Sequence, residues 1–223
     1  MAAKERAERS RRPLVYQGEA LSCTSRFEDE AKAEGCRCVA GIDEVGRGAL
    51  CGPVVAGAVV LGDGFETHGL DDSKRLTALQ REGLADRIRA GSASWALGVA
   101  TPAEIDRYNI LQATFLAMRR ALQGLSMTPD LVLVDAFEVP GVALRQQAIV
   151  KGDALSVSIA AASIVAKVAR DAIMLECDQR HPGYGLAHNM GYASEDHRTA
   201  LRRMGPSAIH RRSFAGTQRW LFD

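Results

Sequence analysis

The hydrophobic residues of this chain follow two patterns, short continuous runs and longer stretches with helical spacing. The continuous runs are rich in Val, Ala, Leu and Ile, a composition typical of strands that are covered on both faces of a sheet. They predict strands at residues 39–43, 54–61, 95–100, 131–135 and 147–150. A glycine-rich turn separates the first two runs, so we expect these two strands to form a hairpin.

Helical spacing predicts helices over residues 77–90, 101–125 and 156–176. Gly91 is expected at the C′ position after the first of them. The second region opens with Thr101 as N-cap, a proline at N1 and Glu104 at N3, which together form a capping box. The buried stripe predicted for this region consists of Leu111, Phe115, Met118, Leu122 and Leu125.

The alternation of strands and helices defines the expected fold class. Helical connections long enough to join parallel strands predict an α/β chain with a central mixed β-sheet flanked by helices. We expect residues 1–38 to form a partly disordered N-terminal tail, residues 39–178 the α/β domain, and residues 179–223 a basic helical segment.

Composition limits the class of protein further. No apolar run approaches the ~20 residues that a membrane span requires, and the N-terminus lacks the apolar core of a secretory signal. A soluble cytoplasmic protein is therefore expected. The five cysteines include no Cys-x-x-Cys pair, which favours reduced thiols over a disulfide framework or a zinc site.

The charges are unevenly distributed along the chain, although the net charge is only +1. Residues 1–12 carry a net charge of +3 and residues 179–223 a net charge of +4, which leaves −6 for the segment between them. This distribution fits a cation-binding site beside a polyanion-binding surface. Charge clusters more often solvate helix faces, and charge taken alone favours that second interpretation.

Four acidic residues stand at the ends of predicted elements. Asp43 and Glu44 end the first strand, Asp135 ends the strand over residues 131–135, and Asp153 precedes the long C-terminal helix. Hard divalent cations such as Mg²⁺ and Mn²⁺ take oxygen ligands, and a pair of them supports phosphodiester hydrolysis. Any single one of these acids is more often a turn or cap residue. The four together suggest metal-dependent phosphodiester chemistry.

The adjacent pair Asp43 and Glu44 raises a geometric difficulty. Successive residues of a regular strand point to opposite faces, so both side chains cannot face one site from such a strand. We therefore expect the strand to end or bulge here, or Glu44 to act through its backbone carbonyl or a water. Asp153, close to a helix N-terminus, gains stabilisation of its anionic form from the helix dipole.

The turn Gly46-Arg47-Gly48 directly follows the acidic pair. It matches neither the Gly-x-x-x-x-Gly-Lys-Ser/Thr phosphate loop nor the dinucleotide fingerprint, which argues against a nucleoside triphosphatase. Glycines let backbone N–H and C=O groups approach a ligand closely, and such an approach can read a sugar hydroxyl.

Seven segments that include these residues resemble the bacterial-type ribonuclease HII family, over a stretch from about Val39 to Phe214. The segments are Ala40–Gly48, Gly52–Val55, Asp72–Lys74, Val134–Ala136, Gly152–Lys167, Gly191–Tyr192 and His210–Phe214. The resemblance implies a ribonuclease H-like fold with a small C-terminal helical subdomain. It also implies cleavage of the RNA strand of RNA/DNA hybrids and nicking 5′ to single ribonucleotides in duplex DNA, leaving 3′-hydroxyl and 5′-phosphate ends, with a role in DNA repair and replication.

The same resemblance implies roles for particular residues. Asp43, Glu44, Asp135 and Asp153 would be the catalytic acids that bind two Mn²⁺ or Mg²⁺ ions. Gly46, Arg47 and Gly48 would contact the ribonucleotide 2′-hydroxyl and its phosphates, Tyr192 would pack on the adjoining deoxyribose, and Lys74 would lie near the backbone phosphates. Without the resemblance, Tyr192 is equally well interpreted as a buried core aromatic.

The chain departs from the usual family pattern at several positions. Asn189-Met190 stands where His-Lys is usual, so a phosphate-contacting cation is lost or is supplied by Arg198 or Arg202. Ala49 replaces a proline, and Ser194 replaces a threonine. No departure removes one of the four acids.

Two alternatives and one partner hypothesis complete the interpretation. A protein of this fold could bind hybrid nucleic acid without cutting it. The related ribonuclease HIII carries a large extra N-terminal domain and lacks the arginine of the glycine turn, which disfavours it. Residues Gln218 to Phe222 loosely resemble a sliding-clamp-binding peptide, although Trp220 and Phe222 more often pack on their own domain. Nothing in the sequence suggests an obligate dimer, so a monomer is expected.

Overall fold

A computed structural model describes residues 22–218. In it, the hydrophobic runs of the sequence form one five-stranded sheet. The strands are β1 (Val39–Val45), β2 (Val54–Val60), β3 (Ser94–Ala100), β4 (Leu131–Asp135) and β5 (Gln146–Ile149). Their order across the sheet is β3-β2-β1-β4-β5. β1 and β2 form the predicted antiparallel hairpin, β3 extends it, and β4 and β5 are parallel to β1. The predicted mixed sheet is thus confirmed.

Helices cover both faces of this sheet. They are α1 (Arg26–Ala33), α2 (Ala78–Gly91), α3 (Pro102–Tyr108), α4 (Ile110–Gln123), α5 (Val157–Arg180), α6 (Leu186–Asn189), α7 (Glu195–Met204) and α8 (Ala215–Gln218), with a 3₁₀ turn at Gly152–Ala154. Capping boxes at Thr77 and Thr101 begin α2 and α3, the second as predicted.

The structure corrects two helix predictions. Gly91 is the last residue of α2 and not its C′ residue, since Ser92 is the C-cap. The helical region over residues 101–125 is two helices divided at Asn109, whose φ is 68°. The Asn109 side chain accepts hydrogen bonds from two backbone amides of α4 and so caps the new helix.

Two long helices build the core on opposite faces of the sheet. On α4, Phe115, Met118 and Leu122 are buried as predicted, but Leu111 is 42% exposed because it lies in the first turn after the break. On the other face α5 lies very close to β1. A Cβ added to Gly41 would come within 2.1 Å of the Ser158 carbonyl carbon, so a glycine is required there. Close helix packing holds the ends of β1 and α5 in fixed positions.

The first described residues belong to the folded body. Phe27 and Ala31 of α1 are buried against the sheet. Glu28 accepts hydrogen bonds from the hydroxyls of Ser156 and Ser158 and from the Ser158 amide at 2.9 Å, which ties α1 to the start of α5. Residues 1–21, the larger part of the predicted tail, lie outside the described residues.

The basic C-terminal segment packs against the end of α5, which runs across the predicted boundary at residue 179. Leu50, Met174, Leu186 and Leu201 share one buried cluster there. The five cysteines are free thiols. Within residues 22–218 no helix has the length and apolar character needed to cross a membrane.

Candidate metal and nucleic-acid site

The sheet register brings three of the four acids together. Because Ile42 of β1 pairs with Val134 of the parallel strand β4, Asp43 and Asp135 follow at the same level on neighbouring strands. The Gly152 amide donates a hydrogen bond of 2.7 Å to Asp135 Oδ1, and this contact places the 3₁₀ turn with Asp153 beside β4. Residues that are distant in sequence therefore meet at one edge of the sheet.

Glu44 reaches the same place from a strand that continues. β1 keeps its ladder with β2 to Val45, so the expectation that the strand ends or bulges at Asp43–Glu44 is wrong. Asp43 and Glu44 are nevertheless both lining residues of one cavity. Asp43 is buried, whereas the longer Glu44 side chain pairs with Arg47 Nη1 at 3.0 Å. The strand leads directly into the turn at Gly46, whose φ of 95° suits glycine.

Burial and mutual repulsion disfavour ionised acids at this site. Burial first, and then the charges of Glu44 and Asp135, hold the pKa of Asp43 well above its ordinary value. Burial and then Asp153 raise the pKa of Asp135 to about 6. Among the described residues neither Asp43 nor Asp135 forms an ion pair. When these two acids are ionised, no side-chain cation of the described residues pairs with them.

Lys74 supplies part of the missing positive charge. Its Nζ lies 3.0 Å from Asp153 Oδ2 and 3.7 Å from Asp72 Oδ1. Burial alone would lower the pKa of Lys74, but the hydrogen bond and charge of Asp153 outweigh this effect and raise the pKa. The Lys74 side chain is also 77% exposed, so it stands at the rim where a ligand can reach it.

The four carboxylates fit a pair of hard divalent cations. They offer oxygen ligands from separate elements. Burial and mutual repulsion raise the pKa values of Asp43 and Asp135, so an added cation would be stabilised beside these two carboxylates. The donor set is that of Mg²⁺ or Mn²⁺, which prefer carboxylates and water.

A cavity of about 510 Å³ opens beside these acids. It is lined by Asp43, Glu44, Val45, Gly46, Arg47, Gly48, Ser73, Lys74, Asp135, Ser163, Lys167 and Tyr192. The structure thus gathers all the predicted site residues in or next to one space, with Asp153 joined to it through Lys74. Tyr192 is 38% exposed and is not a core aromatic.

Three polar residues that line the cavity, together with the apolar Val45, were not among the predicted site residues. Ser73 and Ser163 share a hydrogen bond of 2.9 Å, and Lys167 pairs with Asp171 at 2.7 Å. Their positions in the sequence could have indicated them. Ser73 lies in the Asp72–Lys74 segment, and Ser163 and Lys167 are four residues apart on one face of α5. Their side chains extend the polar wall of the cavity beyond the four acids.

The departure at position 189 has a structural explanation. Asn189 accepts a hydrogen bond of 2.8 Å from the Gly191 amide and donates one to the Tyr184 carbonyl, so it shapes the turn before Tyr192. Arg202 pairs with Glu195 at 2.7 Å. Arg198 forms no salt bridge within residues 22–218, although its charge contributes to the lowered pKa of Glu195.

Cys51, His197 and His210 form a second buried cluster, with potential ligand atoms within 4.8 Å of one another. Hydrogen bonds determine which ring nitrogen of each histidine carries the proton. His197 Nδ1 donates to the Tyr192 carbonyl and His210 Nδ1 accepts from the Ser207 amide, so His210 Nε2 carries a proton and donates to His197 Nε2 at 3.0 Å.

This proton arrangement does not suit a metal. A histidine that binds metal through Nε2 carries its proton on Nδ1, but the Ser207 amide occupies Nδ1 of His210 as a donor. Burial also raises the pKa of Cys51 to about 12, so its thiol is neutral. The cluster is a chain of hydrogen bonds that holds the Tyr192 carbonyl.

Known proteins resemble this chain over most of its length. The family described as Ribonuclease HII matches residues 40–217. Ribonuclease HII of Cereibacter sphaeroides (strain ATCC 17029 / ATH 2.4.9) is 56% identical over 197 residues, which cover 88% of this chain and 92% of that protein.

Solved structures show the same architecture. The ribonuclease H2 of Pyrococcus horikoshii OT3 superposes with a TM-score of 0.70 at 27% identity, covering 82% of this chain and 96% of that one. The ribonuclease HII of Archaeoglobus fulgidus, solved as a complex with PCNA, gives a TM-score of 0.64 at 27% identity, covering 79% and 95%. The predicted ribonuclease H-like α/β fold is confirmed.

Proposed function

Because the chain belongs to the ribonuclease HII family and is an endoribonuclease of the ribonuclease H class, we propose that it cleaves RNA/DNA hybrids and nicks duplex DNA 5′ to a single embedded ribonucleotide. The observation that carries this proposal is the convergence of four carboxylates beside the turn Gly46-Arg47-Gly48. The products would carry 3′-hydroxyl and 5′-phosphate ends.

Asp43, Glu44, Asp135 and Asp153 would hold two divalent cations, Mg²⁺ or Mn²⁺. Bound ions of this kind activate a water and stabilise the leaving oxygen of a phosphodiester. Cation binding by these residues requires that their carboxyl groups are deprotonated. Since the pKa values of Asp43 and Asp135 are raised, both carboxyl groups must lose their protons before they can serve as ligands.

The residues that line the cavity beside the acids support recognition of the sugar. Gly46, Arg47 and Gly48 expose backbone groups to the cavity, and a 2′-hydroxyl is both donor and acceptor. Tyr192 offers a flat apolar surface at the same cavity, suited to the ring of a deoxyribose that lacks this hydroxyl. Lys74 at the rim would contact a backbone phosphate.

An endonuclease assay tests the proposal. The purified chain is incubated with Mn²⁺ or Mg²⁺ and an end-labelled DNA duplex that contains one ribonucleotide, with an all-DNA duplex as control. The expected result is a single nick on the 5′ side of the ribonucleotide and none in the control. Binding without nicking in either metal would instead support a hybrid-binding protein that does not cut. A ribonuclease HIII-like activity is disfavoured by the family match.

Clamp binding is a separate and smaller proposal. The Archaeoglobus fulgidus relative was solved with PCNA, and residues 218–222 of this chain loosely resemble a clamp-binding peptide. Of this segment only Gln218 lies within the described residues. Deleting residues 218–223 is expected to abolish pull-down by the sliding clamp, and unchanged pull-down would dispose of the idea.

A further inference from the structure

Two arginines beneath the glycine turn are completely buried without a carboxylate partner. Arg170 of α5 and Arg211, which follows α7, are both 0% exposed. Within residues 22–218 neither forms a salt bridge. Burying a charge without an opposite charge is costly, so the contacts that satisfy these two guanidinium groups indicate what they contribute.

Both guanidinium groups bind backbone carbonyls of the loop that follows β1. Arg211 donates from Nη2 to the Gly46 carbonyl at 2.7 Å, from Nη1 to the Arg47 carbonyl at 2.9 Å and from Nε to the Gly52 carbonyl at 3.0 Å. Arg170 donates from Nε to the Pro53 carbonyl at 3.0 Å. Arg211 therefore anchors the turn itself, and Arg170 anchors the end of the same loop at Pro53.

The direction of these carbonyls fixes the direction of the neighbouring amides. In a trans peptide the C=O and the N–H of the same unit point in opposite directions, and residues 22–218 contain no cis peptide bond. Since the carbonyls of Gly46 and Arg47 face Arg211, the amides of Arg47 and Gly48 face away from it. Within the described chain neither amide has a hydrogen-bond acceptor.

The space in front of these amides is open. Gly46, Arg47 and Gly48 all line the cavity beside the four acids. A Cβ added to Gly48 would meet no atom within 4 Å, so a ligand can approach its backbone. A Cβ on Gly46 would instead lie 2.1 Å from Arg170 Nε, so the inner side of the turn is filled by the buried arginines.

We propose that Arg211, supported by Arg170, is the positioning residue for ribose recognition: it holds the turn so that the amides of Arg47 and Gly48 point to an acceptor oxygen of the ribonucleotide. This inference rests on the proposed function. Arg170 also lies 5.3 Å from the centre of the Tyr192 ring, so the same buried pair supports both groups that face the sugar. Preference for a ribonucleotide then depends on a residue that never touches it.

The experiment compares two identical substitutions at adjacent positions. Arg211→Lys keeps the charge but cannot span three carbonyls, whereas Arg212→Lys changes an exposed side chain whose residue is anchored through its backbone amide to Asp106 Oδ2 at 3.0 Å. Both are made in an Asp135→Asn background that blocks cleavage. Affinity is then measured with Mg²⁺ for a DNA duplex with one ribonucleotide and for the same duplex without it.

The expected result is a selective loss of discrimination. In the Arg211→Lys protein the ratio of the two affinities falls by about 10- to 100-fold, the effect of losing one or two aligned hydrogen bonds. The affinity for the all-DNA duplex and the ratio in the Arg212→Lys protein stay unchanged. A folded Arg211→Lys protein with an unchanged ratio would overturn the inference. Absence of nicking by the unsubstituted chain would overturn the proposed function instead.

A measurement without any change at Arg211 tests the other half of the inference, that the amides of Arg47 and Gly48 contact the ribonucleotide, even where Arg211→Lys does not fold. In the Asp135→Asn protein, NMR follows hydrogen exchange of the Arg47 and Gly48 amides. They are expected to exchange fast in the free protein and to become protected with the ribonucleotide duplex but not with the all-DNA duplex. Equal exchange with both duplexes contradicts the inference.

Discussion

The Gly152 amide donates a hydrogen bond of 2.7 Å to Asp135 Oδ1, so the carboxylate that ends β4 also fixes the turn that carries Asp153. This contact joins two of the four acids through the backbone, without a cation between them. The resulting concentration of negative charge has consequences for stability, pH dependence and substrate binding that can be measured separately.

Asp135→Asn should raise stability and remove activity together. At pH 8 the ionised Asp135 carboxylate destabilises the metal-free protein, because its pKa is raised to about 6. Asparagine removes that charge, while its Oδ1 still accepts the hydrogen bond from the Gly152 amide. We expect a gain of roughly 1–2 kcal/mol in the free energy of unfolding. Cleavage should fall by at least about 100-fold, since even outer partners of metal ligands contribute 10- to 100-fold.

The matched control for that experiment is Asp130→Asn, just before β4. Asp130 accepts hydrogen bonds from the amides of Arg37 and Cys38, which lower its pKa. The same substitution should therefore not stabilise the protein and should leave cleavage unchanged. Chemical denaturation at pH 8 with EDTA compares the two variants. Equal effects of both substitutions on stability would contradict the electrostatic account.

Metal affinity should fall as the pH falls. Protons compete with cations for Asp43 and Asp135, and the competition begins as the pH approaches the raised pKa of about 6 at Asp135. Titration calorimetry with Mn²⁺ should therefore show weaker binding at pH 6 than at pH 8, with release of protons on binding. A dissociation constant that is independent of pH over this range would rule out these acids as the ligands.

Lys74→Gln should weaken substrate binding and its salt dependence. Lys74 stands 77% exposed at the cavity rim, where its ammonium can contact a phosphate. Loss of one phosphate contact should raise KM and reduce the slope of log affinity against log salt by about 1. Lys32→Gln is the control, because Lys32 pairs with Asp63, which does not line this cavity. A salt slope unchanged by Lys74→Gln would contradict this role.

The His197–His210 pair should make the protein sensitive to acid. Burial, and then the charge of His197, lower the pKa of His210 to about 4. Since the unfolded chain binds this proton near pH 6.5 and the folded protein does not, stability is complete above about 6.5 and is lost as the pH falls towards 4. The expected loss is on the order of 1–3 kcal/mol.

Denaturation of the protein and of a His210→Gln variant at pH 7.5 and pH 5 measures this effect. The free energy of unfolding of the variant should fall less between pH 7.5 and pH 5. At pH 7.5 it should already be lower than that of the unsubstituted protein, because the hydrogen bond to His197 changes. Equal pH dependence of the two proteins would assign the acid sensitivity to other groups.

Much of the site follows from local sequence patterns. Asp135 could be placed because an apolar run ends there, and the shared edge followed from the rule that ligands collect at strand ends. The position of Glu44 could not be derived in the same way. The alternation of side chains along a regular strand argued against it, yet Glu44 lines the same cavity as Asp43 and pairs with Arg47.

The burial of Arg170 and Arg211 could not be predicted from local sequence patterns. Arg170 lies in a helix and Arg211 in a basic segment, and both resemble solvated surface charges until the fold brings them under the same loop. Their partners are backbone carbonyls, which carry no sequence signal. The break at Asn109 within the predicted helix was also missed, because it depends on a positive φ at Asn109 together with the capping of α4 by its side chain.

In the proposed function, side chains from distant parts of the chain hold two ions beside the turn Gly46-Arg47-Gly48. Anomalous diffraction from a crystal soaked in Mn²⁺ tests it most directly. We expect two peaks roughly 3.5 to 4 Å apart, bound by Asp43, Glu44, Asp135 and Asp153. Peaks elsewhere, for example at Cys51, His197 and His210, with none among the four acids, would contradict it.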